Sequence, residues 1–259
     1  MKHPLFTKYL PHLSFGCGAL AFLLTRAYYA FGMDGRGLLL RGHVLGSLGW
    51  LPVVAAALYL AFCVLPLEGS DLYEDNFPAS FPGAAGSFAA AAGFAATSAA
   101  GFLSYPDLLT RLWSIGGILA GLCLAVAGLF RLRGKQPSFL LHAFVCLFLA
   151  LNLAHRYRTW SGLPQTRDYI FSLFACIFLM LTAYHRAAFE AGIGKCRRFL
   201  YCAMMAGVLC FAALGHTDAP LFYLGGGIWC LLNLCPMLPP RRRRKPTTPI
   251  PEEPRHEAT

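Results

Sequence analysis

Charge is scarce in this sequence. Asp, Glu, Lys and Arg make up 13% of its 259 residues, against about 25% in a soluble domain. That leaves too little polar surface to coat a globule, so a bilayer is the expected solvent. Carboxylates are scarcest, 12 against 22 lysines and arginines, and none sits in the middle of an apolar run. Asp168 and Glu190 flank the sixth run, and Asp34, Asp107 and Asp218 fall in loops. Proton-coupled carriers usually need an ionisable group at depth, so that class is disfavoured.

Other absences narrow the reading further. There is no GxSxG, HExxH, P-loop, paired HxxH box or CxxC, so no catalytic residue, metal or cofactor is expected, and a non-enzymatic role is favoured. No stretch between the apolar runs is long enough for a soluble catalytic or DNA-binding domain. The net charge of +10 therefore reads as orientation signals at span ends, with no nucleic-acid partner. Of the 10 cysteines, nine lie in apolar runs and Cys196 in a basic loop, so small packing residues are expected rather than disulfides.

What the chain has in abundance is apolar length. Runs cover His12–Gly32, His43–Pro66, Ser80–Leu103, Leu112–Phe130, Ser138–Tyr157, Tyr169–Tyr184, Phe199–Leu214 and Ala219–Leu238. Crossing hydrocarbon takes roughly 20 residues of helix. The expected fold is an all-α, polytopic transmembrane bundle of eight spans over residues 1–238. Lys2 and Lys8 precede the first run and Arg26 interrupts its end, so it reads as an uncleaved span rather than a signal peptide. A proline-rich, basic tail at 239–259 is expected to be disordered.

Arg241–Lys245 abut the last run, which places the C-terminus in the cytoplasm. Eight spans then put the N-terminus inside too, with 14 Lys and Arg inside and six outside. Removing the alanine-rich segment from the count flips everything before it and leaves the totals unchanged, so orientation alone does not choose. The acidic loop 67–79 looks more natural outside, which favours seven spans. The segment's own pattern favours eight. Phe81, Phe88 and Phe102 lie within about 60° on a helix, and Ala, Gly, Ser and Thr dominate the rest, as in helices that pack backbone to backbone. A faint resemblance of 104–124 to 216–235 also suggests two tandem four-span repeats. Short loops point to a bacterial cytoplasmic membrane.

Two constellations of polar residues were weighed. Stacked haems would need His142 and His155 on one face of their helix, but 13 residues put them about 140° apart. The better candidate is a ligand pocket at the outer end. Asn152, His155 and Arg156 share a face at i, i+3 and i+4. Arg158, Trp160, Arg167 and Asp168 follow, and Arg26, Tyr28 and Tyr29 stand at similar depth on the first span. Arginine forks suit carboxylate or phosphate, so a small anion or an anionic lipid headgroup is the expected ligand. The leading reading is a protein that binds or moves that anion, with Arg26 and Arg156 converging on it. The alternative is a structural or regulatory subunit that packs on a membrane-protein partner through helix 80–103.

Overall fold

The computed structural model describes residues 4–32, 44–64, 70–104, 108–161 and 169–237. Every regular element among them is helical: α1 (Pro4–Phe31), α2 (Val44–Leu48), α3 (Leu51–Val64), α4 (Tyr73–Asn76), α5 (Phe81–Ser104), α6 (Leu108–Leu132), α7 (Phe139–Ser161), α8 (Ile170–Glu190), α9 (Cys196–Ala213) and α10 (Pro220–Leu234), closed by a 3₁₀ turn at Cys235–Met237. Five of them, α5 to α9, are long and apolar enough to cross a membrane, and α3 and α10 are shorter apolar helices. Large apolar side chains such as Phe62 and Leu103 stand 84% and 85% exposed, as they would against lipid. The chain is an integral membrane protein by this measure. The tail 239–259, Arg167 and Asp168 lie outside the described residues.

Some element boundaries differ from expectation. α1 starts at Pro4 and runs through Pro11. The second apolar run is split in two, the break falling just ahead of Pro52. Proline suits the first turn of a helix, where its missing N–H costs nothing, whereas inside a helix such as α1 it removes a backbone hydrogen bond. α8 does not stop at Tyr184 but continues to Glu190. There Gly192 (φ 77°) reverses the chain, with Ile193 N–H on the Ala188 carbonyl at 2.9 Å. α6 ends the same way, with Gly134 (φ 64°) and Lys135 N–H on the Phe130 carbonyl at 3.0 Å. Both are left-handed glycine caps, and they place Arg131 and Glu190 in the last turns of their helices.

The alanine-rich helix α5 is wedged between α6 and α10. A Cβ on Gly121 of α6 would come within 2.8 Å of the Ala91 carbonyl, and one on Gly225 of α10 within 2.7 Å of the Ala89 carbonyl. Pairing runs antiparallel on both sides. Gly83, Ala91 and Ser98 meet Arg131, Gly121 and Gly117 in turn, while Gly86 and Gly93 meet Trp229 and Leu221. Phe81 and Phe102 are exposed on the opposite side. Phe94, by contrast, is fully buried and stacks on Phe222 at 4.4 Å. The inner face of α5 therefore carries one aromatic that the stripe of three did not anticipate. Because α6 and α10 already cover the small-residue face, a partner approaching α5 would meet its phenylalanines.

α9 is the innermost spanning helix, with 78% of its window buried, and it packs on α1, α3, α8 and α10. α1 lies parallel to it, Gly18 facing Val208 and Gly215 facing Thr25. Tandem repeats would require reciprocal contacts. α5 packs on α10, but α6 and α9 form no substantial interface among the described residues, so the packing lends the duplication no support.

Candidate functional site: a buried two-arginine cluster

One end of the bundle gathers the C-terminal ends of α6 and α8, the starts of α5, α7 and α9, and the short helix α4. The segment carrying α4 is the acidic loop, and it is fixed onto the start of α9. Asp71 Oδ1 accepts from the Cys196 backbone N–H at 3.1 Å, a carboxylate at a helix N-terminus. Asn76 accepts from the Cys196 thiol at 3.4 Å and donates to the Leu72 carbonyl at 2.8 Å. Phe77 then packs edge-on against Phe189 and Phe199, each at 5.2 Å between ring centroids. This anchoring turns Tyr73 and Phe77 toward the ends of α6 and α8.

Two guanidinium groups meet those rings. Arg186 lies 3.6 Å from the Phe77 ring centre and 5.3 Å from that of Tyr73. Arg131 lies 5.1 Å from the Phe77 ring centre. Such cation–π contacts are worth about 2 kcal/mol when desolvated. Arg186 is further held by its own helix. Its Nε donates to Glu190 Oε1 at 3.2 Å, an i, i+4 pair, and its Nη2 donates to the Tyr73 hydroxyl at 3.2 Å. Glu190 also lies 2.9 Å from His142 Nδ1 on α7, and its backbone carbonyl accepts from Gln136 Nε2 at 2.6 Å.

Arg131 differs from every other buried cation here. It is 2% exposed, yet none of Nε, Nη1 and Nη2 makes a hydrogen bond of good geometry, the Tyr73 hydroxyl approaching it only loosely; Arg186 Nη1 is likewise without one. Its charged and polar neighbours are Arg186, Tyr73 and Glu190. Gly83 at the start of α5 leaves it room, since a Cβ there would stand 3.0 Å from Arg131 Nε. Arg131, Arg186 and Glu190 together leave one positive charge in excess. Buried charges are ordinarily paired, because an isolated one costs several kcal/mol. An anion between the arginines is the chemistry that would satisfy this arrangement.

The opposite end holds the residues expected from the sequence, and they are arranged differently. Arg156 is buried, donates from Nη1 to Asp218 Oδ1 at 2.7 Å and from Nε to Asn152 Oδ1 at 3.2 Å, and lies 5.6 Å from the ring centres of both Phe222 and Tyr223. Asn152 also accepts from the Trp113 indole at 3.0 Å. His155 stacks on Trp113 at 5.0 Å, and Tyr29 on His216 at 3.9 Å. Asn152, His155 and Arg156 do come together, and Tyr29 reaches the neighbouring α9–α10 loop through His216. Arg158 is exposed.

The expected convergence of Arg26 with Arg156 is not found. Arg26 is exposed on α1, and α1 and α7 form no substantial interface among the described residues. A long side chain near a helix end gains more from snorkelling to the interface than from burial. Arg156 is instead neutralised by Asp218, a residue read as an ordinary loop acid. Among the described residues Arg156 thus forms a satisfied ion pair walled by aromatics, whereas the unsatisfied charge lies at the other end.

No protein-family model matches this chain, and no curated protein or solved structure does either.

Proposed function

We propose that this protein is an eight-span integral membrane protein with both termini in the cytoplasm, which binds an anionic group between Arg131 and Arg186 at the cytoplasmic end of its bundle. The observation that carries the reading is the fully buried Arg131 guanidinium, which makes no hydrogen bond of good geometry at any of its three nitrogens and stands beside a second arginine. The cytoplasmic assignment rests on lysine and arginine placement: the α6–α7 and α8–α9 connections hold Arg133, Lys135 and Lys195, and the first turn of α9 holds Arg197 and Arg198. Antiparallel packing of α5 on α6 and α10 favours eight crossings over seven. A carrier and a static anion-binding subunit would both use such a site. A subunit docking through the small-residue face of α5 is disfavoured, because that face is buried within the chain.

The test is the melting temperature of the full chain purified in detergent, with inorganic phosphate, sulfate or acetate added. At least one should raise it in the wild type and lose its effect in Arg131→Gln, while Arg197→Gln, an exposed arginine at the same end, keeps it. Shifts that are absent, or that persist unchanged in Arg131→Gln, would contradict an anion site at Arg131.

A further inference from the structure

We infer that the anion held by Arg131 and Arg186 is a terminal phosphoryl group with three free oxygens, on a phosphomonoester lipid headgroup or a small phosphate compound, and not a carboxylate. This rests on the anion-binding reading and specifies its ligand. The count of donors decides it. Arg131 offers Nε, Nη1 and Nη2, and Arg186 adds Nη1, none of them in a hydrogen bond of good geometry. Tyr73 adds a further donor: its hydroxyl accepts from Arg186 Nη2, which leaves its own O–H to give. Donors therefore come from three side chains on three elements, α4, α6 and α8.

A carboxylate offers about four lone-pair sites on two coplanar oxygens, fewer than the N–H and O–H groups carried by Arg131, Arg186 Nη1 and Tyr73 together. It would leave several of them buried and bare. A phosphoryl group presents three strong acceptor oxygens in a tetrahedral spread, so it can take two guanidinium groups and a phenol from different directions. Charge does not choose between the two anions: Glu190, held by Arg186 and His142, offsets one of the two arginines, and a carboxylate meets the one positive charge left over as well as a phosphoryl group does.

The deciding experiment is ligand-dependent melting of the full chain in detergent, titrated with inorganic phosphate and with acetate at matched ionic strength, together with native mass spectrometry of the same preparation. Phosphate should bind at least about tenfold more tightly than acetate, the worth of one charge-assisted contact. Arg131→Gln should abolish the preference, and Tyr73→Phe, which keeps the ring against Phe77, should reduce it. A retained phosphomonoester lipid mass lost in Arg131→Gln assigns the phosphoryl group to a headgroup; phosphate binding with no retained lipid assigns it to a free phosphate compound. Both support the inference. Acetate matching phosphate, with both lost in Arg131→Gln, overturns the phosphoryl assignment and leaves the anion site standing. Absence of any Arg131-dependent effect overturns both.

Discussion

Arg131 has two opposed terms acting on it. Taking a guanidinium out of water costs several kcal/mol, and the Phe77 ring and nearby Glu190 offset only part of that. If an anion supplies the rest, replacing Arg131 removes contacts worth about 1.5–3 kcal/mol each, and Arg131→Leu should melt lower than the wild type in phosphate buffer. If nothing supplies it, leucine relieves the desolvation penalty and the variant should melt higher. The sign of the change, read by differential scanning fluorimetry, separates the cases. Little of this was legible in the sequence. In "RLRGK" Arg131 resembles any basic residue at a span end, and only the glycine cap at 134 places it inside the last turn of α6. The sixth apolar run, ending at Tyr184, leaves Arg186 beyond it and Glu190 only flanking it. The i, i+4 spacing in "RAAFE" was the available sign that the helix continues. The spacing of Asn152 and Arg156 puts them on a shared face, but Asp218, the partner of Arg156, lies 62 residues away, beyond the reach of local spacing.

At the scale of the element, α5 is held by close approach rather than by large side chains. Gly93 faces the Leu221 carbonyl and Gly225 of α10, and any side chain there collides with backbone. Phe88 sits half-buried on the stripe that turns outward. Gly93→Leu should therefore destabilise the protein by roughly 1–3 kcal/mol or more, as overpacking does, while Phe88→Leu should cost less. Equal melting temperatures for the two variants would show that α5 is not clamped between α6 and α10. The packing role of this helix was legible because small residues covering most of a helix have few other uses in a bilayer. Which helices it would meet was not: apolar, glycine-rich helices offer similar surfaces to many partners, and antiparallel pairing with α10 is set by the tertiary fold. The split of the second run was written in Pro52.

At the scale of the whole molecule, the two-arginine site exists only if three connections lie on one side of the membrane. Tyr73 and Phe77 come from the α3–α5 connection, Arg131 from the end of α6, and Arg186 and Glu190 from the end of α8. Composition counted against this arrangement, since an acidic loop looked more natural outside. Asp71 at the start of α9 supplies the physical reason for its place among basic loops. With seven spans the α3–α5 connection would face away from the other two, and the cluster could not assemble. The most direct test of the account is therefore a topology reporter inserted after Asn76, compared with one after Lys135 and one at the C-terminus. All three should read cytoplasmic. A reporter after Asn76 that reads external while the other two read cytoplasmic would contradict both the eight-span bundle and the anion site built on it.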